Sequence, residues 1–128
     1  MNLLLDTHLL LWAAIGSEKL SAEARNMISK NVNRVYFSAA NIWEVVIKNG
    51  LQRADFHMDP HLLRRGLVDN GYEELAITSA HTLGVAHLPP IHKDPFDRLL
   101  VAQAEFEGFL LLTSDAVVAE YPGPIQLV

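Results

Sequence analysis

Short apolar runs alternate with longer amphipathic stretches along the chain. NLLL (2–5), RVYFSA (34–39) and GFLLLT (108–113) show little alternation of apolar and polar positions and are rich in leucine or β-formers. This is the pattern of parallel strands covered on both faces. YEELAI (72–77) and IQLV (125–128) are weaker strand candidates. Between them lie segments with helical periodicity and readable ends. SAANIWEVVIKNG offers Ser38 or Asn41 near its start and Gly50 as a stop, and DPHLLRRGLVDNG has Asp59 as cap, Pro60 at the first position and Gly71 beyond the end. DPFDRLLVAQAEFEG repeats the device with Asp94, Pro95 and Gly108. LSAEARNMISKN (20–31) and TSAHTLGVA (78–86) are further helices, and HLPPIHK (87–93) is a conspicuous loop.

Strands alternating with helices predict a doubly wound α/β sheet of five parallel strands, in one domain spanning residues 1–128. Ligands of such sheets bind beyond the carboxyl ends of the strands, where the strand order reverses. Just past the first strand stands Asp6, the second has Ser38 at its end, and FLLLT ends in Thr113 with Asp115 two residues beyond. That edge is acidic and hydroxylated.

Composition narrows the chemistry. The chain has 128 residues, no cysteine and a formal charge of −5 from 15 acidic and 10 basic side chains, so any metal must be held by carboxylates or histidines. The charge argues against a general electrostatic clamp on nucleic acid, but not against a nucleic-acid enzyme, because bound divalent cations reverse the local sign. No Lys or Arg precedes Lys19, and Asp6 and His8 interrupt the first apolar run, which is not the build of a secretion signal. No window approaches the ~18 apolar residues of a membrane span. The expectation is a soluble, cytoplasmic protein.

Each acidic candidate has a plain structural explanation beside a functional one. Asp6 either caps a helix beginning DTHLLLWAA or meets a cation, and the sequence alone leaves both open. Asp115 in TSDAVVAEY carries the same ambiguity. Glu44 lies inside a mostly apolar helix, where an exposed i,i+4 pair with Lys48 is the ordinary reading, worth only ~0.3–0.5 kcal/mol. Asp94 before Pro95 suits an N-cap, and Asp97, three residues on, suits the helix dipole. Asp97 is the better functional candidate, since the cap does not require it. Clustered at one sheet edge, such carboxylates repel and raise one another's pKa unless a cation intervenes, and Mg²⁺ or Mn²⁺ held by oxygen ligands resolves the conflict.

The segments LLLDTHLLLWA (3–13), FSAANIWEVVIKNGL (37–51), LPPIHKDPFDRLLVAQA (88–104) and LLLTSD (110–115) together resemble the PIN domains, in particular the VapC-type toxins of prokaryotic toxin–antitoxin systems. The resemblance implies a Rossmann-like fold and a metal-dependent ribonuclease that hydrolyses phosphodiester bonds with one or two Mg²⁺ or Mn²⁺ ions. It places the family's acidic positions on Asp6, Glu44, Asp97 and Asp115, and its hydroxyl positions on Ser38 and Thr113. Asp94 has no certain counterpart and is kept as a supporting group. Lys48, Arg53, Lys93 and Arg98 flank these motifs and are candidate phosphate contacts, which position RNA rather than specify it. His8, His87 and His92 are not expected to ligate metal, and Trp12 and Trp43 are expected to be core or interface anchors. A cognate antitoxin and a homodimer are implied as partners.

Two other acidic Mg²⁺ pockets are disfavoured. A receiver-type phosphoacceptor wants an acidic pair after the first strand, and an aspartyl-phosphate phosphatase wants a second Asp where His8 stands. The remaining alternatives are an RNA-processing PIN nuclease outside a toxin system and a non-catalytic PIN-like binding module.

Overall fold

A computed structural model describes all residues from Met1 to Val128. The strands are β1 (Asn2–Leu5), β2 (Arg34–Ser38), β3 (Glu73–Leu75), β4 (Leu110–Thr113) and β5 (Ile125–Leu127). They form one sheet of order β3-β2-β1-β4-β5. Every pairing is parallel, with Leu4 opposite Tyr36 on one side and Leu111 on the other. All five predicted strands are present, and the weak candidates are the edge strands β3 and β5.

The helices are α1 (Thr7–Ile15), α2 (Ala22–Ser29), α3 (Ala39–Gly50), α4 (Pro60–Asp69), α5 (Ser79–Val85) and α6 (Pro95–Glu107). Their ends follow from local chemistry. Asp59 and Asp94 cap α4 and α6 ahead of Pro60 and Pro95, while Gly16 and Gly108 end α1 and α6 at φ of 65° and 73°, where an L side chain is disfavoured. Single 3₁₀ turns at Ala54–Phe56 and Val118–Glu120 were not foreseen from the sequence.

Alternation along the strands divides the interior in two. Leu3, Leu5, Phe37 and Leu112 point to one face, against Leu9, Leu10, Val45, Phe56, Leu63 and Leu67. Leu4 and Leu111 point to the other, against Leu99, Leu100, Val101 and Phe109. A slip of one residue in β1 would exchange these sets, so burial on both faces fixes the register. β1 lies at the centre, and the connection that leaves β1 runs to β2 on one side while the one that leaves its neighbour β4 runs to β5 on the other. The carboxyl ends of β1 and β4 therefore flank the crevice where a doubly wound sheet binds its ligand. No helix is long and apolar enough to cross a membrane.

Candidate active site

At that crevice the chain leaves β1 and turns directly into α1, with Asp6 at the junction. The Asp6 amide continues the ladder by donating to the Leu112 carbonyl at 3.0 Å. Its Oδ1 accepts from the Leu9 amide at 2.9 Å, capping α1, while Oδ2 accepts from the Thr113 hydroxyl at 2.6 Å and the Ser114 amide at 3.1 Å. The two readings left open by the sequence are thus compatible, because one oxygen caps and the other faces the strand ends. Burial pushes the Asp6 carboxyl above the usual carboxylate range, against the opposing pull of Thr113, the Leu9 and Ser114 amides and His8.

Glu44 arrives from the second turn of α3 and is 3% exposed. Its Oε1 accepts from the Thr7 hydroxyl at 2.6 Å and its Oε2 from the Lys48 ammonium at 2.5 Å. The i,i+4 pair with Lys48 exists, but it is buried rather than exposed: the side chains are 4% and 17% accessible. Thr7 in turn accepts from Asn41 Nδ2 at 3.0 Å, and Asn41 Oδ1 accepts from the Ser38 amide at 2.7 Å. Neither Thr7 nor Asn41 was singled out in the sequence as a support for Glu44, since a contact across 37 residues leaves no periodic signal.

Asp97 stands in the first turn of α6. Its Oδ2 lies 3.3 Å from His92 Nε2, and His92 Nδ1 lies 2.7 Å from the Tyr121 hydroxyl. Burial, then the charges of Asp94 and Glu44 and, more weakly, Asp6, push the Asp97 carboxyl up to about 7, against the pull of the hydrogen bond with His92. Asp94 Oδ1 accepts from the Phe96 and Asp97 amides, as a cap should. Asp115 is exposed at the rim, with Oδ1 accepting from the Val117 amide at 2.8 Å.

These groups enclose a cavity of about 240 Å³ with no hydrophobic residue in its wall. Five carboxylates line it (Asp6, Glu44, Asp94, Asp97 and Asp115), together with Thr7, His8 and only two cations, Lys48 and Arg53. All four predicted acidic residues are therefore brought together, with Asp94 beside them. Thr113 touches the cavity through Asp6.

The remaining candidates fall both inside and outside the cavity. The Ser38 hydroxyl donates to Gln103 Oε1 at 2.5 Å and accepts from the Ala40 amide, so it caps α3 and braces α6 rather than facing the cavity. Arg98 is not free for phosphate. Its guanidinium donates to the carbonyls of Val85, Leu88, Pro89 and His92 and to the Tyr121 hydroxyl, which organises the 87–93 loop. Lys93 is exposed outside the cavity wall. Arg53 lines the cavity and pairs with Asp55 at 3.0 Å. Trp12 packs against the core, whereas Trp43 is 55% exposed on α3, edge-on to Phe96.

The donor set suits a hard divalent cation: five carboxylates and a hydroxyl, with His8 the one imidazole, negative in excess, at the end of a crevice. As the side chains stand, no three of the acidic or imidazole groups are arranged to hold one ion. Glu44 is drawn to Lys48 and Asp97 to His92, each satisfied by a protein donor.

The PIN domain family model matches residues 3–124. No functionally curated protein matches the chain. Among solved structures, VapBC2 from Rickettsia felis, bound to a DNA fragment from its promoter, aligns over 100% of this chain and 99% of its own, with TM-score 0.70 and 16% identity. DNA-bound VapBC from Salmonella typhimurium aligns over 98% and 97%, with TM-score 0.67 and 13% identity. VapC20 of Mycobacterium tuberculosis, described as a toxin that cleaves the sarcin–ricin loop, aligns over 91% and 92%, with TM-score 0.58 and 16% identity. At these identities the likeness is one of fold.

Proposed function

The chain belongs to the PIN domain family, and from that premise we propose that it is a divalent-metal-dependent endoribonuclease, the toxin of a VapBC-type pair, acting in the cytoplasm. The observation that carries the reading is the cavity itself, where five carboxylates meet two cations at the switch point of the sheet. Uncompensated, that charge is a standing cost, expressed in the raised Asp97 carboxyl. The VapC-like fold and the RNA cleavage described for one structural neighbour agree with it.

Asp6, Glu44 and Asp97 would hold one or two Mg²⁺ or Mn²⁺ ions, with Asp115 reaching in from the rim. A divalent cation bound there supplies activation of a water and neutralisation of charge on the phosphate and the leaving oxygen. In the hydrolysis the water oxygen would bond to phosphorus and give up a proton, the bond from phosphorus to the leaving ribose oxygen would break, and that oxygen would take up a proton in its place. Thr113 and the Ser114 amide hold Asp6 with one oxygen toward the crevice, Thr7 fixes Glu44, and His92 fixes Asp97. Loss of such an orienting partner typically costs about 10–100-fold in metal affinity or activity. Arg53 and Lys48 give the acidic cavity its basic rim for the RNA backbone.

An antitoxin segment has a fitting surface in the apolar groove between α1 and α4, about 460 Å³ and lined by Ala13, Met58, Leu62, Leu63, Leu67 and Tyr72. Homodimerisation is supported by the exposed stripe Trp43, Val46 and Ile47 along α3, continued by Leu51 just past its end.

The test is incubation of antitoxin-free protein with a total cellular RNA pool and Mg²⁺ or Mn²⁺, beside EDTA and Asp6→Asn controls. Discrete products that vanish in both controls are expected. A folded protein that leaves the pool intact would sink the enzyme reading in favour of a binding module.

A further inference from the structure

Glu44 is held on its two oxygens by partners of different character. On Oε1 the hold is fixed by a directed chain. The Ser38 amide donates to Asn41 Oδ1, which turns Asn41 Nδ2 toward the Leu5 carbonyl and Thr7 Oγ1. With that hydroxyl oxygen accepting from Asn41, its single proton is left for Glu44 Oε1, at 2.6 Å. On Oε2 the partner is the Lys48 ammonium, at the end of a flexible four-carbon stem. That ammonium also lies 4.7 Å from the Phe56 ring centroid and 5.8 Å from that of Phe96, within cation–π range of both. It is one of only two cations in a wall that carries five carboxylates.

We propose that Lys48 is the resident counter-cation of this cavity, one that occupies Glu44 Oε2 in the metal-free protein, yields that oxygen when a divalent cation enters, and then contacts RNA phosphate. The inference rests on the metal-nuclease reading and goes beyond it. A buried carboxylate among other carboxylates needs a cation, and the i+4 lysine provides one without an outside ion. An ammonium and a divalent cation on the same carboxylate repel, so entry of the ion drives the lysine off. The phenylalanine rings keep the displaced ammonium at the cavity wall, beside the place where phosphate must lie. Lys48 thus sets the metal affinity as a competitor and serves the substrate once displaced. Thr7, uncharged and locked by Asn41, stays on Glu44 throughout.

The test compares wild type, Lys48→Met and Lys48→Gln, all stripped with EDTA and held at one pH. Mn²⁺ affinity is read by electron paramagnetic resonance, and RNA cleavage is read under saturating Mn²⁺. Removing the competitor should tighten Mn²⁺ binding about tenfold, the scale on which groups behind the ligands act. The same variants should show a raised KM for RNA with kcat changed far less. In wild-type protein, Mg²⁺ should raise the rate at which an amine-acylating reagent modifies Lys48, measured by mass spectrometry against Lys19 and Lys30; this arm needs no variant to fold. Mn²⁺ affinity unchanged or weakened in both variants, or Lys48 labelling indifferent to Mg²⁺, overturns the exchange. If wild type binds Mn²⁺ in an Asp6-dependent way, that failure belongs to Lys48 alone. If wild type binds none, the metal reading falls and this inference with it.

Discussion

Replacing Asp97 by asparagine should stabilise the metal-free protein at neutral pH, the reverse of what loss of a well-paired buried acid would do. The Asp97 carboxyl is pushed up to about 7 in the folded chain by burial and by Asp94, Glu44 and Asp6. An unfolded aspartate titrates near about 3.9. A carboxyl raised on folding binds its proton more tightly in the native state. Its contribution to stability is therefore fully present below about pH 4 and is lost as pH rises toward about 7. Full conversion of the shift at 1.36 kcal/mol per pKa unit gives an upper bound of about 4 kcal/mol. The side chain is 18% accessible and shares its field with three other acids, so about 1–2 kcal/mol is the working figure after solvent screening. The amide introduced by Asp97→Asn removes the charge and still offers an oxygen to His92 Nε2. The assay is urea denaturation in EDTA from pH 4.5 to 7.5. Wild type should lose stability across that range, the variant should lose about 1–2 kcal/mol less, and Mn²⁺ should stabilise wild type but hardly the variant. Parallel pH profiles, or a variant less stable than wild type at pH 7, would refute the electrostatic account of the cavity.

Three further predictions follow from single contacts. Thr113→Val leaves buried Asp6 Oδ2 without its 2.6 Å donor; a loss of about 1–3 kcal/mol, read by denaturation, should accompany weaker Mn²⁺ binding. Ser38→Ala removes the α3 cap and the bond to Gln103. It should cost about 1 kcal/mol while specific RNA cleavage stays near that of wild type, whereas a severe loss of cleavage in the folded variant would return Ser38 to the site. Asp94→Ala should lower stability by about 0.5–2 kcal/mol through the lost α6 cap, measured by thermal melting in EDTA, where relief of repulsion on Asp97 partly offsets it.

The fold was readable where physics is local. Leucine-rich runs without alternation announce strands buried on both faces, and the Asp-Pro starts of α4 and α6 announce themselves through the missing proline amide. Asp6 was readable as a position, at the end of the strand that proved central. Its role was not, because the question of cap or ligand assumed one function per carboxylate, whereas its two oxygens serve different partners. Glu44 was legible only through the order of elements, and its burial with Lys48 depends on α3 closing against Phe56 and Phe96 from other segments. The supporting roles of Thr7, Asn41 and His92 were hidden because their partners are set by tertiary approach. Arg98 misled for the same reason: beside an acidic motif it looks like a phosphate contact, and only the folded 87–93 loop shows the carbonyls that claim it.

The central claim is that the carboxylates at the carboxyl ends of β1 and β4 and on α3 and α6 hold the ion that serves RNA cleavage. Its most direct test is anomalous diffraction from crystals grown with Mn²⁺, for wild type and for Asp6→Asn, on preparations whose RNA cleavage has been measured. The account predicts a manganese peak among Asp6, Glu44 and Asp97 in the active wild type, with Lys48 withdrawn from Glu44, and no peak there in an inactive Asp6→Asn. An active wild type with no metal in this cavity, or an Asp6→Asn protein that still cleaves RNA, would contradict it.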